Sequence, residues 1–476
     1  VKAILPGYKF KIHKMKKLIF TAFIIIGLTN AFTQELAYKI YADFLIKNVN
    51  IVDVENGAVL AGKYVAMRDS IIIGIYDKEV SLQNSGEVVD GTNKYLIPGL
   101  WDMHTHFCSM SSFSNPLLIA NGVTGVREMF GVIDTVKKIR AETSAGTLIA
   151  PDIYSSGLII DGIPPIWPFS SGVKNGEEAG LEVAKQKNEG VDFIKVYSRL
   201  SKESYMAIAQ KSIELNIPFA GHLPENVTIW DAIYMNQQSI EHLYGILEAC
   251  TGKPDEFIKI TDWIEKTKFL VNTFDKEIFD SLCTALAKSN TWICPTLIVL
   301  KNVSYKMDST VMQDPRLKYM PKQVQQMWDP RSPLYRSFQD RFPALFELQN
   351  SLIDELSKHG VKLIAGTDFP NPFCYPGFSI HDELQLLVKG GMSPAMALKC
   401  ATLNPARFMG KENVFGKVAA GQLSSLVLLD KNPLEDISNT KSIHAVFLRG
   451  RYLNRAMLDK LLEEAENISS KIKSPY

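Results

Sequence analysis

The sequence predicts an α/β fold: a (β/α)8 TIM-like barrel with a small composite β-sandwich domain built from both ends of the chain. Three observations carry that expectation. Eight apolar strand candidates alternate with helical segments through the middle of the chain, which implies a parallel sheet closed into a barrel. β-prone runs without helical period lie on either side of that middle. The length, 476 residues, suits one large barrel plus a smaller module.

Residues 34–96 and 413–455 are expected to form the composite module. Phe44-Leu45-Ile46, Ile51-Val52 and Ile71-Ile72-Ile73-Gly74 are broken by Asn56-Gly57 and Gly62. Leu426-Val427-Leu428-Leu429 and Ala445-Val446-Phe447-Leu448 supply the strands from the other end. The barrel is assigned to residues 97–412, with strands beginning near Ile97, Gly122, Leu148, Val191, Ile217, Ser239, Thr291 and Val361. Helical segments separate them, for example 177–189 and 202–215. Residues 300–350, rich in Met, Gln, Pro and aromatics, predict a helical insertion or lid, and 456–476 a C-terminal helix.

Residues 1–33 differ in kind and read as an N-terminal extension followed by a signal peptide. Met15-Lys16-Lys17 is a basic start, Leu18 to Leu28 an apolar run, and small residues surround Ala31. The run is shorter than the roughly 20 residues of a membrane-spanning helix. Export to the periplasm or medium follows, with no stable membrane partner after cleavage. The net charge is +1, and residues 1–33 hold Lys2, Lys9, Lys11, Lys14, Lys16 and Lys17 but no acids, so the remainder is mildly acidic. Without a basic tract, nucleic acid is excluded as a partner. The cysteines show neither zinc-knuckle nor disulfide-framework spacing and are expected as buried thiols, with pairing left open. Homo-oligomerisation is also left open.

Chemistry begins at Pro98-Gly99-Leu100-Trp101-Asp102-Met103-His104-Thr105-His106, which closes the first barrel strand. Alternate strand residues face the same way, so His104 and His106 point together and can share a metal. Further polar residues cap apolar runs: Lys195 after Asp192-Phe193-Ile194, His222 after Pro218-Phe219-Ala220-Gly221, His242 after Ser239-Ile240-Glu241, and Asp368 after Leu363-Ile364-Ala365-Gly366-Thr367. All fall at the C-terminal ends of strands, where barrel active sites lie. Tyr197, Arg199 and Glu128 are placed at the mouth, and Tyr197 is a candidate for holding an oxyanion. His381, in His381-Asp382-Glu383-Leu384 after the eighth strand, either meets substrate, orients Asp368 or caps a helix.

The order HxH, Lys, His, His, Asp resembles the amidohydrolase superfamily in its binuclear form, over residues 43–455. It is most similar to the imidazolonepropionase-like and zinc-dependent Xaa-Pro dipeptidase group. Gly122-Val123-Thr124-Gly125-Val126-Arg127, Gly366-Thr367-Asp368, His381-Asp382-Glu383-Leu384, Ala401-Thr402-Leu403-Asn404-Pro405-Ala406 and Asn432-Pro433-Leu434 support the likeness. The resemblance implies two divalent metal ions, zinc by default with manganese or iron as alternatives. His104, His106 and Asp368 would hold the buried ion, and His222 and His242 the second. Lys195, carbamylated by carbon dioxide, would bridge both. A shared water, its pKa lowered from about 15.7 toward 7, would then attack a carbonyl, with Asp368 moving the proton to the leaving amine.

The implied activity is hydrolysis of a carbon–nitrogen bond (amide, dipeptide or cyclic amide) in a small-molecule substrate. Lactone or ester hydrolysis on the same site is the first rival. Deamination is the second, and Lys195 weighs against it because many deaminases of the superfamily lack the bridging lysine. A non-catalytic binding protein is the third, opposed by the intact ligand set. The sequence departs from the group after the third strand, where Asp161-Gly162-Ile163-Pro164-Pro165-Ile166-Trp167-Pro168 replaces a loop containing glycine and histidine. Ser424-Ser425 likewise stands where relatives often have Ala-Asp.

Overall fold

In a computed structural model that describes residues 38–304, 309–329, 331 and 342–472, strands from both chain ends pair in one sheet. The expected signal segment lies outside the described residues. Phe44–Asp53 and Ala58–Arg68 form an antiparallel hairpin. Its turn follows from local chemistry: the Asp53 carboxylate accepts the Glu55 and Asn56 amides at 3.0 and 3.2 Å, and Gly57 adopts a φ of 70°.

Ile71–Tyr76 extends the sheet on one side. On the other, Tyr95–Pro98 pairs with Leu426–Leu429, followed by Ile443–Leu448 and Arg451–Asn454. Phe44 and Phe447 are three strand spacings apart along this path, about 14 Å in a flat sheet, yet their rings lie 6.0 Å apart. The sheet therefore curls over its own core, which includes Ile46, Ile51, Val65, Leu96, Leu428 and Phe447.

Ile97 and Pro98, expected at the start of the barrel, still pair with Val427 and Leu426 in this sheet. The first barrel strand is Leu100–Thr105. A Cβ on the intervening Gly99 would stand 2.0 Å from Thr124 Oγ1, so the chain can cross from module to barrel only through glycine.

Parallel strands then follow in order: Val123–Glu128, Asp152–Ser155, Ile194–Val196, Phe219–Gly221, Ser239–Glu241 and Trp292–Cys294. The third and fourth meet through Ser156 and Phe193. The apolar run from Val361 closes the circle as an irregular eighth strand. Leu363 bridges Ile293, Phe369 bridges Thr105, and the Met103 amide donates to Ala365 O at 2.9 Å. Its ladder is broken because the backbone turns left-handed at Asp368, with φ of 55°.

Strands begin later than the apolar runs that announce them because those runs also seal helix ends. The Ile217 amide, for instance, donates to Ser212 O at 2.9 Å before the strand starts at Phe219. Helix Gly176–Glu189 starts at Asn175, whose side chain accepts the Glu178 amide at 3.0 Å, and stops at left-handed Gly190. Lys202–Glu214 starts in the same way from Ser201.

Within residues 300–350 the described parts are helical, among them Pro315–Tyr319, Lys322–Met327 and the start of Pro343–Lys358. Leu317, Met320, Val324 and Trp328 pack against Met110, Phe113, Phe373 and Tyr375. This segment therefore rests on the arc of rim between the first and eighth strands. Helix Arg455–Lys471 supports it from outside through Ala465. All six cysteines are buried free thiols.

Candidate metal centre

The barrel brings the expected ligands to one end. His104 and Lys195 lie within their strands, while His106, His222 and His242 lie just beyond theirs. Asp368 enters from the irregular eighth strand. The Nε2 atoms of His106, His104 and His242 stand 3.0, 3.4 and 3.8 Å from the Asp368 carboxylate. Two atoms bound to one tetrahedral ion at about 2.1 Å are about 3.4 Å apart. His104, His242 and Asp368 bring ligand atoms within 4.8 Å of one another, close enough to share an ion, and His106 approaches the same carboxylate. The His222 ring joins the group 4.8 Å from that of His242.

The opposite ring nitrogens are engaged, which aims Nε2 into the centre. His104 Nδ1 donates to Glu241 Oε2 at 2.8 Å, His222 Nδ1 lies 2.9 Å from Ser198 Oγ, and His242 Nδ1 lies 2.6 Å from Thr296 Oγ1. Burial pushes His104 and His222 well below the ordinary imidazole value and lowers His242 as well. The neutral ring is the form that binds a cation. Burial alone would raise Asp368, but the imidazoles of His104, His106 and His242 outweigh it and hold the carboxyl below its usual range.

Lys195 is fully buried, and its Nζ has no hydrogen-bond partner among the described residues. Burial pulls the ammonium down to about 8. An unpartnered amine at the centre of a ligand cluster fits a group that is completed by modification and metal, since a bare buried ammonium is costly.

Local backbone strain sets the aim of two ligands. His242, Asp368 and Thr296 are left-handed, with φ of 60°, 55° and 47°. Such conformations cost about 1–3 kcal/mol each and persist only where neighbours impose them. Here the Asp368 amide donates to His104 O at 2.7 Å and the His242 amide to Cys294 O at 2.9 Å.

Beneath the ligands lies a buried ionic layer. Arg127 donates to Ser239 Oγ at 2.7 Å, to Glu241 Oε2 at 2.8 Å and to Met103 O. Asp102 joins the first and eighth strands by accepting from Thr367 Oγ1 at 2.6 Å and the Thr367 amide at 2.9 Å, and burial pushes it up to about 7. Glu128, expected at the mouth, is instead buried. Its carboxylate accepts the Phe107 and Cys108 amides at 2.7 and 3.0 Å and so ties down the loop that follows His106.

The Amidohydrolase family model matches residues 178–453 of this chain. The chain belongs to the amidohydrolase family. Ochratoxinase of Aspergillus niger is 22% identical to this amidohydrolase, over 86% of this chain and 88% of its own. The structure of bottromycin amidohydrolase matches with a TM-score of 0.71 at 21% identity, covering 89% of this chain and 90% of that one. A Xaa-Pro dipeptidase structure matches with a TM-score of 0.63 at 17% identity, over 86% of this chain and 99% of that one. These similarities agree with the barrel fold.

Of the two substrate-contact candidates, only Tyr197 reaches the centre of this amidohydrolase, where it stacks on His222 with centroids 4.0 Å apart. His381 does not. Its Nε2 donates to Asn121 O at 3.1 Å, its Nδ1 lies 2.9 Å from Thr440 Oγ1, and burial pulls it down to about 4. Neither ring nitrogen is left for substrate or for Asp368, so the expected role there is corrected to a structural tie. His381→Ala is expected to cost about 2–4 kcal/mol through the lost bonds and the cavity. Denaturant unfolding reads that loss, while kcat per folded enzyme stays at the wild-type value.

Sequence reasoning passed over Arg127, Glu241, Ser198 and Thr296. The available signal for the first pair was a charged residue inside a fully buried strand, Arg127 in Val123–Glu128 and Glu241 in Ser239–Glu241.

Proposed function

We propose that this amidohydrolase cleaves a carbon–nitrogen bond, in an amide, a dipeptide or a cyclic amide, at a two-metal centre. The convergence of His104, His106 and His242 on Asp368, beside an unpartnered Lys195, carries this reading. The residues would fit two divalent ions, zinc first: His104, His106 and Asp368 would hold one, His222 and His242 the other, and Lys195 would serve both. With its ammonium near 8, Lys195 keeps a share of free amine at neutral pH. That nitrogen would form a bond to carbon dioxide and release one proton to solvent, and the carbamate would offer one negative charge shared by two oxygens.

When bound, the ions supply an activated water near neutral pH and polarise the substrate carbonyl. The Asp368 carboxylate takes the proton of the attacking water and returns it to the leaving nitrogen. Glu241 holds the His104 ring in the tautomer with Nε2 unprotonated. An amidohydrolase and a dipeptidase among the similar structures support amide cleavage. The signal-like segment within residues 1–33 supports export to the periplasm or the medium.

Purified enzyme from zinc-supplemented growth is expected to contain about two metal equivalents, read by elemental analysis. Metal-free protein from such growth would refute the centre. Loaded enzyme is then offered dipeptides, N-acyl amino acids, cyclic amides and lactones. Turnover of lactones alone would overturn the amide assignment.

A further inference from the structure

The loop after the third barrel strand contributes no ligand, yet one buried group dictates its shape. Asp161 is fully buried, and its carboxylate accepts the Gly162 and Ile166 amides at 2.9 Å each and the Arg199 amide at 2.7 Å. The Arg199 guanidinium donates back to Pro164 O at 2.8 Å. A Cβ on Gly162 would lie 2.0 Å from Arg199 O, so this loop and the one after the fourth strand touch backbone to backbone. The knot presents an apolar tip to solvent: Ile163, Ile166, Trp167 at 50% exposure and Phe169 at 87%. Exposed apolar side chains grouped on one loop near a polar centre suit a ligand-binding wall.

Trp167 connects that tip to the metal ligands. Its Nε1–H donates to Tyr197 Oη at 2.6 Å, and the Tyr197 ring stacks on His222 at an interplanar angle of 27°. An indole nitrogen can only donate, so the Tyr197 oxygen accepts here and its own proton is free for another partner. Tyr244, 41% exposed, stands edge-on to His222 and His242 at 4.9 and 5.3 Å. Tyr197 thus links His222 outward to Trp167, and Tyr244 flanks the same histidines.

We propose that Trp167 and Tyr244 receive a planar aromatic group of the substrate, and that the indole N–H sets Tyr197 to donate its proton to the substrate carbonyl oxygen. The substrate class is then amides bearing an aromatic substituent on the acyl or the amine side, which rests on the amide-hydrolase reading above. Ring–ring contact adds about 0.5–1.5 kcal/mol beyond buried area, up to about tenfold in affinity for an aromatic over an aliphatic group.

The test pairs N-benzoylglycine with N-acetylglycine, and N-acetylphenylalanine with N-acetylalanine, on zinc-loaded enzyme. Wild type is expected to favour the aromatic member of at least one pair by about tenfold in kcat/KM. Trp167→Ala should bring that ratio near one. Trp167→Phe should keep most of the ratio but lower kcat on both members, because Tyr197 loses its anchor. A wild-type ratio near one in both pairs, or a ratio unchanged in Trp167→Ala, overturns the aromatic site. Turnover of the acetyl amides in either case still upholds amide cleavage. Calorimetry on zinc-loaded Asp368→Asn with the same ligands separates the two ideas when wild type turns over nothing. Aromatic preference in binding, lost in Asp368→Asn/Trp167→Ala, upholds the site, while the amide reading is then decided by turnover of the dipeptides and cyclic amides; no preference refutes the site.

Discussion

Asp368→Asn is expected to lower kcat by about 10³-fold or more while the protein stays folded and keeps much of its metal. The rate loss follows from the proton inventory. Asn has no basic oxygen to take the proton of the attacking water and no acidic proton for the leaving nitrogen, and a positioned acid–base group contributes about 10²–10⁴-fold. Retention of fold follows from the backbone. Asp368 is left-handed with φ of 55°, a conformation that Asn tolerates as well as Asp, and its amide bond to His104 O does not involve the side chain. Retention of metal follows because a neutral amide oxygen still ligates, though more weakly, alongside His104 and His106. Circular dichroism, elemental analysis and kcat on a single substrate read the three outcomes. A kcat within tenfold of wild type would remove Asp368 from the proton path.

The candidate ligands were legible in the sequence because each follows an apolar run, and such runs in a barrel end on one rim. His104 and His106 also share strand parity, so their convergence needed only the period of two. Other parts were hidden for physical reasons. Parity places Glu241 and His242 on opposite faces, yet both turn inward because His242 is left-handed and breaks the alternation. The eighth strand reads as one apolar run over Leu363-Ile364-Ala365, whereas its ladder is interrupted where Asp368 turns toward the histidines. His381 sits in a polar phrase after that strand, but its partners, Asn121 and Thr440, are far away in sequence. The Trp167 loop has no periodicity to read. Its shape is set by the Asp161 carboxylate and by Arg199, which belongs to the next loop.

Arg127→Met is expected to destabilise the fold by about 3–5 kcal/mol, and the loss should extend to metal affinity. Arg127 is fully buried and stands between the first, second and sixth strands, its guanidinium carbon 5.0 Å from the centre of the Phe408 ring. Removing it leaves Glu241 as a buried carboxylate without a countercharge, the arrangement that costs about this much. Glu241 Oε2 is also the acceptor for His104 Nδ1, so a displaced or protonated Glu241 frees the ring to rotate. Loss of such a supporting partner lowers metal affinity by about 10–100-fold. The double variant Arg127→Met/Glu241→Leu separates the two effects. Removing both charges should recover part of the stability, because nothing buried is left uncompensated. Metal affinity should not recover, since His104 Nδ1 still lacks its acceptor. Denaturant midpoints and competitive zinc titration measure the pair of quantities on all variants. Recovery of both together would mean that Arg127 and Glu241 serve only the packing of the barrel and do not hold His104 in place.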